Sequence, residues 1–379
     1  MKTVVSAVTA AVLSFSALHV SAADLKINGF ATFAAGTTLN EYEVGDFQAT
    51  FEADQPTNGV YDDSFSYRPE SLYGLQVTSD IGKGLSVVGQ IVGIGSENYN
   101  AKIVWAYAKY EANDNVEFLF GRQRLPLYFY SDVLDVGYSY HWMRPPTDGA
   151  LPTDILDGVQ ARYEFQMGNW DTRIQAFTGE SLSEESIGLN NLYGVVAYTS
   201  NDWLQLRASA MEADGYFDNA AHPQNEDNPF SGKYYSVSAY ATLGNAFVVA
   251  EATTNTTSEP IFPFSLEGYD AFFVSAGYQM GDFTPHITYS QQGQKVNVVD
   301  FTSGTTVLSD TFRDNSITAG LRWDFHNKAA FKIEYQHRAD SDKEARAAVY
   351  GGLLAAGLTT ENLAIREVDL FSMGIDVIF

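Results

Sequence analysis

Cysteine is absent from the 379 residues. That single absence excludes a disulfide framework, a zinc–thiolate site, a thiolate-held iron–sulfur cluster and a cysteine nucleophile. Basic residues are scarce as well: 22 Lys and Arg stand against 47 Asp and Glu, a formal charge of −25. A chain this acidic repels phosphate backbones, which argues against nucleic acid as a partner. No run of about 18 apolar residues occurs, so no membrane-spanning helix is encoded, although strands cross a bilayer without such a run. The six histidines, His19, His141, His222, His286, His326 and His337, show no metal-ligand spacing. There is no Gly-x-Ser-x-Gly and no phosphate-binding glycine loop, and Glu212-Ala213-Asp214-Gly215 misses the spacing of a calcium loop. The expectation is a protein without cofactor or metal, and not an enzyme.

What is abundant points to strands. Aromatics make 14% of the chain, glycines number 31, and charged residues reach only 18%, a mixture that suits pleated surfaces and tight turns. At the N-terminus Lys2 precedes an apolar stretch from Val4 to Val20 and the small residues Ser21-Ala22-Ala23. This reads as a secretory signal peptide over 1–22, removed after Ala22 or Ala23 to leave 23–379 as a single domain.

From Asp24 onward the apolar period is two. At the C-terminus Phe371, Met373, Ile375, Val377 and Phe379 alternate with Ser372, Gly374 and Asp376, and in the middle Val159, Ala161, Tyr163 and Phe165 alternate with Gln160, Arg162, Glu164 and Gln166. The strands are read near 24–36, 71–80, 85–94, 101–111, 116–123, 157–166, 170–178, 190–199, 203–212, 233–243, 246–253, 268–279, 283–291, 314–324, 330–339 and 365–379, sixteen in all. Short turns join them at Asp80–Gly84, Ala112–Asn115, Met167-Gly168, Ser200–Asp202, Gly244-Asn245, Met280-Gly281 and Phe325–Lys328. Long acidic connections fall between the hairpins at 37–70, 124–156, 213–232, 254–267, 292–313 and 340–364. Alternation alone would also fit a soluble sandwich. Short turns at one end and long loops at the other specify a transmembrane antiparallel β-barrel, all-β, with periplasmic turns and extracellular loops. It must close, because an open edge in lipid leaves backbone groups unpaired.

These residues resemble the Gram-negative trimeric porins of the general-diffusion type. The likeness rests on the signal peptide, the opening strand Leu25-Lys26-Ile27-Asn28-Gly29-Phe30, the segment Phe120-Gly121-Arg122-Gln123-Arg124-Leu125-Pro126 and the terminal Phe379. It implies a homotrimer in the bacterial outer membrane, in contact with its lipids and lipopolysaccharide, that passes ions and small hydrophilic solutes passively. It further implies that Phe379 is recognised by the barrel-assembly machinery, and that the third loop, 124–156, folds into the lumen so that its acids face a basic wall across a narrow eyelet.

On that reading the basic wall is Arg122, Arg124, Arg162, Arg173 and Arg207, and the acidic loop offers Asp132, Asp135, Asp148 and Asp154, with Tyr138, Tyr140, His141, Trp142 and Arg144 between them. A two-residue turn at Met167-Gly168 sets Arg162 directly opposite Arg173, an unfavourable like-charge pair that would need a purpose. The plainer alternative is that these arginines neutralise Glu164 and Asp171. A second inward group, Arg322, Lys332 and Arg338 with Asp324 and Glu334, has mixed sign and reads as a self-neutralising ladder. The acidic outer loops read as a solvated surface, or as sites where divalent cations bridge to anionic headgroups. Other functions stay open: a channel selective for sugars or anionic solutes, an adhesive barrel, or a hydrolase built around His286 and Ser290, which share a strand face.

Overall fold

A period of two places alternate side chains on opposite faces of a strand, and here the faces meet surroundings inverted from those of a soluble sheet. Outward Phe33, Leu75, Ile91, Phe120, Val195, Val237, Ile287 and Ile317 are exposed, while inward Thr32, Gln90, Gln160, Ser209, Ser236, Ser275, Thr288, Ser316 and Asp376 are buried. The computed structural model describes residues 25–39, 43–44, 47–48, 50–53, 56–146, 154–182, 187–218, 224–261, 266–299, 306–340 and 367–379. The leader 1–22 and Asp148 lie outside them.

Sixteen strands form one closed antiparallel barrel. They are β1 (Leu25–Thr38), β2 (Leu72–Gly82), β3 (Leu85–Ile94), β4 (Ala101–Asn113), β5 (Val116–Arg124), β6 (Ile155–Met167), β7 (Trp170–Leu182) and β8 (Ile187–Ser200), then β9 (Leu204–Phe217), β10 (Phe230–Leu243), β11 (Ala246–Ile261), β12 (Leu266–Tyr278), β13 (Phe283–Val299), β14 (Thr306–His326), β15 (Ala329–Asp340) and β16 (Val368–Ile378). Each pairs with the next. Closure comes from β1 on β16, in register from Phe30 opposite Ile378 to Thr38 opposite Leu370. Gly29 and Phe379 seal the seam by exchanging two backbone hydrogen bonds of 2.9 Å.

All sixteen strands expected from periodicity are present, and the ends at the short turns agree with the sequence reading within two residues. Several of the far ends do not. β9, β11 and β13 run on to Phe217, Ile261 and Val299, and β14 begins at Thr306. The connections 254–267 and 292–313 are therefore largely tall hairpins, because their Thr- and Val-rich flanks favour extended backbone over loop. The connection 37–70 likewise carries two short ladders, Glu43–Val44 with Phe47–Gln48 and Phe51–Glu52 with Val60–Tyr61.

The expected register at the β6–β7 turn is wrong by two residues. Met167 pairs with Trp170, so the loop is Gly168-Asn169. Gly168 has φ +66°, as Gly244 does before Asn245, and Gly281 has φ +63° before Asp282. A type II′ hairpin turn requires this conformation at its first central residue, and glycine supplies it without steric cost. Arg162 consequently faces Gln175, and Arg173 faces Glu164. The like-charge pair does not exist.

Candidate functional site: the loop across the lumen

β5 stops at Arg124, and Pro126, lacking an N–H, cannot extend the ladder. The chain turns inward instead of outward. From Leu125 to Arg144 it crosses the lumen, and two short 3-10 turns, Ser131–Val133 and Gly137–Ser139, are its regular structure. It rests on two apolar seats. Leu125, Leu127 and Tyr128 pack on inward Leu156, Phe177, Leu192, Val196, Met211 and Tyr234, and Tyr140 and Trp142 pack on Val249 and Phe273. Gly137 lies so close to β1 and β16 that a β-carbon there would strike the Asp376 carboxylate and the Thr32 hydroxyl.

An irregular segment inside a barrel has no ladder to satisfy its carbonyls, so other donors must do so. Cationic side chains of the wall take that role, two carbonyls apiece. The Lys332 ammonium donates to Gly137 O at 2.7 Å and Trp142 O at 2.6 Å. Arg322 donates to Tyr138 O and Tyr140 O, both at 2.7 Å. Arg207 donates to Pro126 O and, at 2.6 Å, to Leu127 O, which also accepts from Ser209. Wall carboxylates hold the loop's amides: Phe129 N donates to Glu251 at 2.7 Å and Met143 N to Glu334 at 2.8 Å. Trp142 Nε1 donates to Thr288 at 2.7 Å, His141 shares a 3.0 Å hydrogen bond with Ser275, and the Tyr138 hydroxyl donates to Asn327 O in the β14–β15 turn at 3.1 Å. The loop thus touches the wall from β6 round to β16 and β1, and reaches the short-turn end.

Against this geometry the expected site residues separate into three groups. Asp132 lines a cavity of about 220 Å³ together with Arg173 and Arg207, so an acid of the loop does share one cavity with basic wall residues. Arg162 lies nearby, paired with Glu117 at 3.1 Å, and both act with Asp132 on the Tyr107 hydroxyl. Arg173 pairs with Glu164 at 2.7 Å, which is the plainer alternative for this arginine; Asp171 accepts from Gln166 instead. The second group serves the loop's neck rather than its face. Arg124 is 5% exposed and binds both Asp135 and Asp154, so these three charges are consumed internally and do not line that cavity. Third, Arg122 is a correction: it shares the outer face with Phe120, because β5 alternates, and forks onto Asp157 there at 2.8 and 2.6 Å. It is not part of the lumen wall.

Sequence reasoning missed the loop's main anchors. Arg322, Lys332 and Glu334 were read as a ladder of their own, and Arg322 does pair with Asp324 and Lys332 with Asp376. Their spare donors and acceptor on the loop leave no mark in local alternation. His286 and Ser290 are both buried, and the His286 ring packs on His141 with Nε2 3.6 Å from Glu334.

His141 gives the loop a pH dependence. Burial, then the charges of His286, Lys332 and Arg322, hold its imidazole well below the ordinary histidine range. The released loop therefore binds a proton near pH 6.5 that the seated loop refuses, so seating weakens as pH falls below about 6.5 and is unaffected above it. Protease cleavage within the loop is expected to rise between pH 7 and pH 5, and His141→Gln to flatten that rise. An unchanged pH profile in the variant would assign the effect to another group.

No family model matches the chain, and no curated protein does. Solved structures do. OmpF of Salmonella typhi, solved with daunomycin, superposes with a TM-score of 0.62 at 15% identity, covering 94% of this chain and 98% of that one. An anion-selective porin from Comamonas acidovorans gives 0.57 at 12% identity over 94% and 100%. OmpT, an outer membrane protein of Vibrio cholerae solved in a trimer form, gives 0.57 at 12% over 95% and 100%. At such identities the likeness is one of fold: this chain has the sixteen-strand barrel of the outer-membrane porins.

Proposed function

We propose that this protein is an outer-membrane porin, a water-filled channel through which ions and small hydrophilic solutes diffuse passively. The observation that carries the reading is the cavity beside the loop, which Asp132 lines together with Arg173 and Arg207. Opposed charges across a narrow, low-dielectric gap orient water and dipolar solutes and penalise apolar ones. An inward polar surface and an outward apolar one support placement in a bilayer. The same reading includes a cleaved leader, a homotrimer, contacts with outer-membrane lipids and lipopolysaccharide, and recognition of Phe379 during assembly. It assigns no catalytic step and no cofactor.

Current across a planar bilayer in a salt gradient tests it. Stepwise ohmic openings are expected, and a folded barrel that stays silent would refute the channel. Charge changes at the passage should then move selectivity in opposite senses. One charge about 10 Å from a permeating ion, at an effective permittivity of 40–80, is worth about 0.4–0.8 kcal/mol, or about a two- to fourfold change per ion. Asp132→Asn should shift the reversal potential toward anions, and Arg173→Gln toward cations. If neither moves it, selectivity is set elsewhere.

A further inference from the structure

The third loop shares the lumen with a second segment. Between β1 and β2 the short ladder Phe51–Glu52 with Val60–Tyr61 folds inward. Gly36 marks the contact: a β-carbon there would lie 2.9 Å from the Tyr61 ring. Gly36 has the inward parity of Thr32, whose hydroxyl lies against Gly137 of the third loop. Phe51 and Tyr61 are buried with Val368 and Leu370 of β16, and the Arg338 guanidinium of β15 covers the Phe51 ring at 4.4 Å. At the other end Thr57 O accepts from the Ser96 hydroxyl, just beyond β3. The hairpin therefore runs along the inner wall from β15 to β3, about 20 Å at about 4.8 Å per strand. Leu370 lies toward the long-loop end from Asp376, so the hairpin sits about 15 Å above the seat of Gly137.

Its two faces differ. Phe51 and Tyr61 stand opposite each other and turn to the wall, whereas Glu52 and Val60, also opposite each other, turn away from it and are exposed, Val60 by 55%. Inside a barrel, the face turned from the wall is the face toward a permeating solute. The hairpin is also held firmly. The Tyr61 hydroxyl donates to the Glu70 carboxylate at 3.0 Å, and buried Arg144 of the third loop donates to Glu70 O, so one residue ties both segments together. Ala53 N donates to Gly59 O at 2.8 Å, and a β-carbon at Gly59 would strike the backbone of Pro69. A loop tip standing free in solvent needs none of these contacts. The hairpin covers one side of the mouth, and the cavity of Asp132 lies against β7 to β9 on the opposite side.

We propose that this hairpin is a second constriction, in series with the third loop, and that Glu52 and Val60 face the permeating solute, Glu52 favouring cations over anions at the mouth. The inference rests on the channel reading above. Because the chain has no native cysteine, single cysteines report on it cleanly. Val60→Cys is placed in a planar bilayer and treated with sulfonatoethyl methanethiosulfonate, which adds a negative charge, or with its trimethylammonium analogue, which adds a positive one. Asn169→Cys, in the β6–β7 turn at the far end of the barrel, is the control, and mass spectrometry verifies labelling. At Val60→Cys both reagents are expected to lower single-channel conductance, and to move the cation-to-anion permeability ratio in opposite senses by about two- to fourfold. Labelled Asn169→Cys should keep both quantities. Glu52→Gln should move the ratio toward anions by a similar factor. A fully labelled Val60→Cys with unchanged conductance and ratio would overturn the constriction, and so would a Val60→Cys that resists labelling in the folded barrel. A silent wild-type barrel would instead refute the channel itself.

Discussion

Lys332→Met is expected to release the loop and widen the channel. Lys332 is wholly buried, it tethers Gly137 O and Trp142 O, and it neutralises Asp376 at 2.8 Å. Methionine keeps the stem's volume and removes all three interactions. Breaking a buried pair from one side strands the other charge, at a cost of about 3–5 kcal/mol. The urea midpoint in detergent micelles should fall accordingly, and single-channel conductance should rise and become noisy as the segment around Gly137 moves. A second change separates the causes. Asp376→Asn added to Lys332→Met removes the stranded carboxylate and should recover much of the stability, whereas conductance should stay high because the carbonyl tethers are still missing. If the double variant conducts like the wild type, Lys332 does not hold the loop.

Arg124→Ala should act at the neck of the same loop with an effect of similar size. Arg124 joins the residue where the loop leaves the wall to Asp135 near its middle and Asp154 where it returns. Alanine leaves two carboxylates in one buried neighbourhood, so at neutral pH they repel each other and draw in water. A loss of about 3–5 kcal/mol is expected. Arg124→Lys keeps the charge but cannot fork onto both partners, and should recover about half of the loss. Stability equal to wild type in Arg124→Ala at pH 7 would show that the neck is held by its apolar seat alone.

Much of the barrel is legible in the sequence because each face of a strand recurs at every second residue. Ser372, Gly374 and Asp376 against Phe371, Met373 and Ile375 need no long-range knowledge. Register is legible only through turn chemistry: Gly244-Asn245 is read correctly, and the same glycine-first rule applied to Gly168-Asn169 gives the true pairing of Arg162 and Arg173. The lumen is another matter. That Asp132 shares a cavity with Arg173 and Arg207 follows from the resemblance to porins, but Asp135 and Asp154 carry the same charge in the same loop and are spent on Arg124. The side chains differ in which carbonyl or guanidinium lies within 3 Å, and no pattern along the chain records that. Arg122 teaches the converse: two residues from Phe120, it shares that residue's outward face by parity, and counting along β5 would have placed it there; Arg124 has the same parity but ends the strand, and its side chain turns onto Asp135 and Asp154.

The tethers also fix an order of events during folding. Lys332 meets Gly137 across 195 residues of sequence, and the pocket that receives Gly137 is built from β15, β16 and β1 side by side. Contacts of such separation form late, since a long stretch of chain must be ordered before they reward it. Until the last strand has zipped onto the first, the turn around Gly137 has no complete pocket, although the loop's apolar seats on β6–β12 are already in place. Narrowing of the channel is thus a final step that reports completed closure, and an unfinished barrel would be marked by a third loop still undocked, and cleavable, around Gly137.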